Sequence, residues 1–194
     1  MTTPEFLYFD LGRVLLTFDH AKMLRQMAAA AGVEPHVMRE AIMPSGTPCE
    51  VDLQWQLEAG QVSDDDYFEQ VCERIGKRPQ REQLEQASND IFGPIDASLE
   101  LLDRLHEAGY RLGLLSNTCG MHWRWFLDGR YPTPGLQQSH VPEWKRAGVP
   151  AAKVFYTDDR QDNVAGAIAC GIDAVQFSDT ARLEYDLRAR GIDC

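Results

Sequence analysis

Two short apolar runs, far apart in the sequence, each end abruptly in aspartate. The first run, Phe6 to Phe9, is followed by Asp10, and the second, Val154 to Thr157, is followed by Asp158 and Asp159. An apolar run of this length, bounded by turn residues, is typical of a buried strand. In open α/β folds, ligands bind where the carboxyl ends of parallel strands meet. The two runs therefore predict that these carboxylates share one edge of a sheet.

The rest of the chain predicts an α/β core with a helical insertion. Residues 17–92 contain helix-forming segments, one of which stops at Gly60 and another of which starts at Ser63 with acids in its first turn, and we expect no strand among them. After residue 92, apolar runs at Tyr110 to Leu115 and at Ala174 to Phe177 alternate with helical segments. Such alternation implies a doubly wound parallel sheet that is covered by helices on both faces. We predict a core of residues 1–16 and 93–194 and a small helical cap of residues 17–92.

Length, charge and cysteine content limit the class of protein and its partners. The chain has 194 residues and a net charge of −11, and its five cysteines show no C-x-x-C spacing. The acidic surface argues against nucleic acid and against anionic membranes as partners. No apolar run approaches the length of a membrane span, and the N-terminus lacks the features of a signal peptide. We therefore expect a cytoplasmic protein with reduced thiols.

A third apolar run, Tyr110 to Leu115, is followed by Ser116 and Asn117. The residues that follow the three runs are of the types that phosphoryl transfer requires. A carboxylate such as Asp10 can attack phosphorus, and hydroxyl and backbone N–H groups can hold phosphoryl oxygens. The Asp158-Asp159 pair suits Mg²⁺. Each residue also has a simpler explanation, because all of them can cap a turn or begin a helix. The combination nevertheless predicts one anionic site that binds a metal and a phosphate.

The order of these segments resembles the haloacid dehalogenase (HAD) superfamily, and in particular phosphatase-like members whose first motif reads Asp-Leu-Gly-x-Val. The matching stretches are Phe9 to Val14, Leu114 to Thr118 and Phe155 to Asn163, and Asn163 to Phe177 resembles the closing segment of the family. The resemblance covers nearly the whole chain and implies a Rossmann-like core with a small cap. It also implies a Mg²⁺-dependent phosphatase that acts on a small phosphorylated metabolite.

The resemblance assigns roles to the residues at the first and last motifs. Asp10 is then the nucleophile and a metal ligand. The backbone carbonyl of Gly12 and the carboxylate of Asp159 are the other protein ligands of Mg²⁺. Asp158 and Asn163 do not bind the metal themselves but orient the residues that do. Every one of these assignments is an expectation from the resemblance.

The resemblance also assigns Ser116 and Asn117 to the catalytic residues that bind the transferring phosphoryl group. The family normally adds a lysine, in a Lys-Pro pair after a further strand, which balances the charge of the phosphate. Residues 120–154 contain neither that pair nor an evident strand. Arg13, beside the nucleophile, is one substitute. Three other cations, none of which matches the motif, are Lys145, Arg146 and Lys153.

The short segment of residues 119–153 has three explanations. It can be a deletion that weakens the enzyme, a change for which another cation compensates, or a sign that the natural chain carries residues absent from this sequence. A missing segment can also leave an edge of the sheet exposed, and an exposed edge favours formation of a homodimer.

The second departure from the family is Gly12, where most phosphatases of the family carry a second Asp that protonates the leaving group. General acid–base catalysis is worth about 10²–10⁴ in rate, so its loss predicts slow turnover or substrates with good leaving groups, such as acyl or sugar 1-phosphates, unless a residue of the cap supplies the proton instead. Two alternatives stay open. One is an HAD-like protein that has lost turnover and keeps a binding or regulatory role. The other is a 2-haloacid dehalogenase, for which the Asp158-Asp159 pair has no evident use.

Overall fold

The computed structural model divides into two compact units. It describes residues 3–46, 52–126, 128–129, 131, 136–137 and 147–194. The first unit comprises residues 1–17, 93–116 and 131–194, and the second comprises residues 18–92 and 117–130. Residues 117–130 thus cluster with the helical segment, whereas the sequence places them in the core. The division into a core domain and a cap domain stays a prediction.

Parallel strands form the centre of the first unit. The strands of the described residues are β1 (Phe6–Phe9), β2 (Leu16–Phe18), β3 (Phe92–Pro94), β4 (Leu112–Leu114), β5 (Leu136–Gln137), β6 (Val154–Asp158) and β7 (Asp173–Gln176). Five of them form one sheet in the order β5-β4-β1-β6-β7, with parallel pairing throughout. The register sets Phe9 beside both Leu114 and Thr157. The chain segments that follow these three residues therefore leave the sheet at the same edge.

The central strands are buried because helices cover both faces of the sheet. All residues of β1 and β6 are buried, which is typical of parallel strands inside an α/β fold. Gly113 in β4 is required by close packing, since a Cβ there would lie 2.6 Å from the Tyr8 ring and 2.7 Å from the Phe6 ring. These aromatic side chains fill the space that the glycine leaves.

Helices pack around the sheet and also build the second unit. The helices of the described residues are α1 (His20–Ala31), α2 (Pro35–Ile42), α3 (Leu53–Glu58), α4 (Asp64–Ile75), α5 (Arg81–Asn89), α6 (Asp96–Glu107), α7 (Gly120–Phe126), α8 (Gln161–Ala169) and α9 (Thr180–Arg188). Across the described part of the chain, no helix combines the length and the apolar character that crossing a membrane requires.

Contacts of two successive residues in β6 show that helices cover both sides of the sheet. Tyr156 packs in one cluster with Ala167 of α8. Phe155 instead lies under the guanidinium of Arg190, 5.2 Å from the ring centroid, just beyond the end of α9. Because successive strand residues point to opposite faces, α8 and the end of α9 lie on opposite sides. The predicted doubly wound α/β fold is confirmed.

The second unit is held together by the apolar faces of its helices. Met23 and Met27 of α1, Met38 of α2 and Val71 of α4 are fully buried in one cluster. Ser63 begins α4, because its hydroxyl accepts a hydrogen bond from the backbone N–H of Asp66 at 3.1 Å. This cap, with acidic residues in the first turn, is the helix start that the sequence predicts.

Short strands occur where the sequence predicts none. β3 begins at Phe92, inside the segment expected to be helical throughout, and pairs with β2. The Thr17 hydroxyl donates to the carbonyl of Gly93 at 3.1 Å beside this pair. β5 pairs with β4 within residues 120–154, where the sequence predicts no strand. Two or three residues are too few to show the alternation by which a strand is recognised in a sequence.

Candidate active site

Three carboxylates meet at the edge of the sheet where β1 and β6 end. Asp10, Asp158 and Asp159 each place one carboxylate oxygen within 4.8 Å of the others. The backbone N–H of Asp10 donates to the carbonyl of Thr157 at 3.0 Å, which continues the pairing of the two strands. The register of β1 against β6 therefore brings the acids together. Like charges at this spacing repel one another unless protons or a cation compensate.

Burial is the main cause of the raised pKa of Asp10. Burial first, and then the charge of Asp158, raise the pKa of Asp10 to about 7. Hydrogen bonds from the Ser116 side chain and the Leu11 backbone act in the opposite direction and favour the carboxylate. A carboxyl group with this pKa is about half protonated at neutral pH, and the protonated form is a poor nucleophile. A cation beside Asp10 would lower its pKa and restore the nucleophilic form.

Both carboxylate oxygens of Asp158 accept hydrogen bonds from groups within the protein. Its Oδ1 accepts from the backbone N–H of Arg160 at 2.7 Å, and its Oδ2 accepts from Asn163 Nδ2 at 2.8 Å. The Tyr156 hydroxyl also donates to Oδ2. Three donors hold the carboxylate in one orientation, which is the kind of contact that an orienting role requires.

Asp159 lies partly exposed beside the two buried acids and near the side chain of Arg13. Its Oδ2 is 4.0 Å from Arg13 Nε. Burial is the largest cause of the raised pKa of Asp159 and the charge of Asp158 the next, while Arg13 and Arg160 act to lower it. Arg13 has a φ of 60°, a left-handed conformation that is uncommon outside glycine. This turn at the end of β1 places a guanidinium next to the acidic cluster.

The residues predicted to bind phosphate are placed differently from one another. Ser116 is buried and hydrogen-bonded through its side chain to Asp10. Asn117 is exposed and belongs to the second compact unit. Gly12 lies in the turn after Asp10, where it forms an isolated bridge with Leu16. Phosphate binding by Asn117 and metal binding by the carbonyl of Gly12 stay predictions.

The cations proposed as substitutes for the missing lysine differ in their position relative to the acidic cluster. Lys153 lies at the start of β6, opposite the site, and pairs with Glu5 at 3.2 Å. Lys145 and Arg146 lie outside the described residues. Arg13, by contrast, is adjacent to Asp159. Among the described cations named as substitutes, Arg13 is the one that lies at the acidic cluster.

Tyr156 is a site residue that the sequence analysis missed. Its hydroxyl donates to Asp158 and lies 3.2 Å from the carbonyl of Leu115. A tyrosine inside an apolar run is ordinarily interpreted as core. A usable signal was present, because residues two apart in a strand point to the same face, which puts Tyr156 on the side of Asp158.

The donor set fits a hard divalent cation. Mg²⁺ prefers carboxylate oxygens and usually binds to one or two carboxylates while it keeps several waters. Asp10 and Asp159 suit this role best, because Asp158 is already held by three protein donors. The cluster therefore combines a buried carboxylate, a neighbouring hydroxyl and a group of carboxylates that could hold a metal ion.

Comparisons with known proteins show which known structures share the fold of this chain. No family model matches the sequence. An HAD family enzyme from Bacteroides thetaiotaomicron, in complex with magnesium and inorganic phosphate, is 21% identical with a TM-score of 0.72 and covers 93% of this chain and 98% of its own. An HAD-like family hydrolase from Porphyromonas gingivalis is 21% identical with a TM-score of 0.71 and covers 100% of both chains.

A dehalogenase shares the fold at lower similarity. The L-2-haloacid dehalogenase from Xanthobacter autotrophicus, with chloropropionic acid covalently bound, is 14% identical with a TM-score of 0.57 and covers 98% of this chain and 85% of its own. The chain thus has the fold of HAD-family enzymes, and the predicted resemblance is confirmed at that level. A fold hosts several chemistries, so the choice among them has to come from the site.

Proposed function

We propose that this chain is an HAD-superfamily hydrolase, specifically a Mg²⁺-dependent phosphatase that uses Asp10 as its nucleophile. The observation that carries the proposal is the meeting of Asp10, Asp158 and Asp159 within 4.8 Å. The hydrogen bond between Ser116 and Asp10 supports it further. A structural neighbour with magnesium and inorganic phosphate supports this chemistry on the same fold.

The proposed reaction consists of two displacements at phosphorus. A carboxylate oxygen of Asp10 attacks the phosphorus atom, and the bond from phosphorus to the leaving oxygen breaks, which leaves a phosphoryl group on Asp10. Water then attacks the same phosphorus, the bond to Asp10 breaks, and inorganic phosphate departs. The carboxylate is restored, and the carbon–oxygen bond of the ester stays intact.

The metal site in this proposal uses the residues at the ends of β1 and β6. Asp10, Asp159 and the carbonyl of Gly12 would hold Mg²⁺, while Asp158 and Asn163 orient them. When bound, the ion would neutralise the charge of the phosphoryl oxygens and favour the ionised form of Asp10. This role agrees with the pKa of Asp10, which burial raises to about 7.

Ser116, Asn117 and Arg13 would bind the transferring phosphoryl group. A guanidinium can form two parallel hydrogen bonds with phosphate oxygens, which a neutral side chain cannot do. Arg13 already lies 4.0 Å from Asp159, so it is close to the proposed metal. It would supply the positive charge that the family normally takes from a lysine.

The substrate class follows from what Gly12 lacks. Without a carboxyl group at that position, the leaving oxygen receives no proton from it, and proton donation is typically worth about 10²–10⁴ in rate. Phosphates with good leaving groups, such as acyl phosphates and sugar 1-phosphates of small metabolites, are therefore the best substrates. We also propose that residues 17–92 form the cap domain of this enzyme.

The test is phosphate release from acetyl phosphate and a panel of phosphate monoesters, with and without Mg²⁺. Release that requires Mg²⁺ and is absent in Asp10→Asn supports the phosphatase. Mg²⁺ and phosphate binding without release from any substrate instead favours a binding or regulatory protein. Metal-independent halide release from 2-chloropropionate favours a dehalogenase. The three functions thus separate in one set of assays.

A further inference from the structure

The Tyr156 hydroxyl contacts two different strand ends of the site. It donates to Oδ2 of Asp158 and lies 3.2 Å from the carbonyl oxygen of Leu115. The side chain is almost fully buried, with 4% of the residue exposed. A hydroxyl has one proton, so these two acceptors share it.

The order of the strands shows that the Tyr156 hydroxyl contacts residues on both sides of the strand that carries Asp10. β4 and β6 lie on either side of β1, the strand that ends in Asp10. Leu115 directly precedes Ser116, the proposed phosphate ligand, and Asp158 directly precedes Asp159, the proposed metal ligand. Strands two apart in a sheet are about 10 Å apart, since neighbours are separated by about 4.8 Å. The Tyr156 side chain spans this gap across β1.

We propose that Tyr156 is a positioning residue that fixes the metal-binding end of the site relative to the phosphate-binding end; this inference rests on the proposed function. Through Asp158, the hydroxyl holds the acidic turn after β6. Through the carbonyl of Leu115, it holds the chain that leads into Ser116. The nucleophile Asp10 lies between the two. Removal of the hydroxyl loosens the acids that would hold the ion while the sheet itself stays intact.

Replacement of Tyr156 by Phe isolates this role. The ring packs in a cluster with Phe6, Tyr8 and Ala167, and a phenyl ring keeps that packing. Asp158 retains the donors from Arg160 and Asn163. The variant therefore loses only the hydroxyl contacts, and we expect it to fold.

A matched control exists in the second unit. Tyr67 is also buried, and its hydroxyl donates to Gln54 Oε1 at 2.8 Å. Tyr67→Phe removes a buried hydroxyl and its hydrogen bond without a change in the residues of the acidic cluster. It reports what the loss of a buried tyrosine hydroxyl does by itself.

The experiment is titration calorimetry with Mg²⁺ on the full chain, together with electron paramagnetic resonance of bound Mn²⁺. We expect Tyr156→Phe to weaken Mg²⁺ binding by about three- to tenfold, at or below the lower end of what loss of a direct contact to a metal ligand costs, because the hydroxyl acts through Asp158. The Mn²⁺ spectrum should broaden. Tyr67→Phe should bind as the original chain does. Asn163→Ala, which removes another donor to the same oxygen of Asp158, should weaken binding in the same direction.

The inference is overturned if folded Tyr156→Phe binds Mg²⁺ within about twofold of the original chain while Asn163→Ala binds more weakly. It is also overturned if Tyr67→Phe shows the same loss as Tyr156→Phe, because the effect would then belong to any buried hydroxyl. Failure of the original chain to bind Mg²⁺ is a separate result, which overturns the proposed function and this inference with it.

Discussion

The Arg13 guanidinium and the Asp159 carboxylate form an ion pair, with 4.0 Å between Nε and Oδ2. The same carboxylate is a proposed ligand of Mg²⁺, so the arginine and the ion compete for it. The Arg13 side chain is 67% exposed, and such pairs contribute only about 0.2–1 kcal/mol. A divalent ion can therefore displace the arginine, which then becomes available to the phosphoryl group.

Arg13→Met should change metal binding and catalysis in opposite directions. We expect Mg²⁺ to bind about two- to fivefold more tightly, because the competing charge is gone. The value of kcat/KM should fall by about 10- to 100-fold, because a charged hydrogen bond to phosphate is lost. Calorimetry and steady-state kinetics measure the two effects.

Arg160→Met is the matched control for Arg13. Arg160 is also exposed and also lowers the pKa of Asp159, but its side chain lies 4.0 Å from Asp162. We expect it to tighten Mg²⁺ binding slightly and to leave kcat/KM nearly unchanged. An unchanged kcat/KM in Arg13→Met would show that Arg13 does not replace the missing lysine.

Gly12→Asp should improve turnover of substrates with poor leaving groups. Gly12 is not among the glycines with positive φ, so an aspartate there meets no backbone restriction of that kind. A carboxyl group at this position could protonate the leaving oxygen, and we expect up to about 10²-fold faster hydrolysis of alkyl phosphates. Acetyl phosphate should gain little. If Gly12→Asn gives the same gain, proton donation is not the cause.

His122 should make the protein less stable in mild acid. Burial first, and then the charge of His20, lower the pKa of His122 to about 4, while Asp64 acts in the opposite direction. The ring is 3.5 Å from the Ser88 hydroxyl and packs edge-on to Phe92 with centroids 5.1 Å apart. Between about pH 6.5 and pH 4, the unfolded chain binds a proton that the folded chain does not. The stabilisation is therefore complete above the pKa of the unfolded chain and is lost as the pH falls toward that of the folded chain.

We expect this histidine to lower the free energy of unfolding by about 2 kcal/mol at pH 5 relative to pH 7. Urea unfolding at both pH values measures it, and His122→Gln should remove most of the difference. An equal pH dependence in both proteins would mean that His122 has the same pKa in the folded and the unfolded chain.

Two glycine substitutions should change stability in opposite directions. Gly113→Ala places a Cβ 2.6 Å from the Tyr8 ring and should cost about 1–3 kcal/mol by overpacking. Gly166 lies inside α8, where an added Cβ would meet no atom within 4 Å, and Gly166→Ala should stabilise by about 0.5–1 kcal/mol. Thermal unfolding compares them. Equal effects would contradict the packing described for β4.

The strands that carry the acids could be predicted because their sequence signals are continuous. β1 and β6 are buried along their whole length, so each is an unbroken apolar run that ends in aspartate. Parallel pairing then brings Asp10 and Asp158 to one edge without further information. The meeting of the three carboxylates follows from the same reasoning.

Other features depend on contacts that the sequence does not encode locally. β2, β3 and β5 have too few residues to show a period, and their pairing supplies the structure. The proximity of Arg13 to Asp159 depends on a left-handed φ at a residue that is not glycine, which local preference disfavours. The position of Tyr156 inside an apolar run predicts a core residue. Its ring does pack in the core, and only its hydroxyl reaches the site.

The central claim is that Asp10 carries the phosphoryl group during turnover. Its most direct test is acid quenching during Mg²⁺-dependent hydrolysis of acetyl phosphate, followed by peptide mass spectrometry. The account predicts one phosphoryl group on the peptide that contains Asp10, and neither adduct nor turnover in Asp10→Asn. Turnover that persists in Asp10→Asn would contradict the claim.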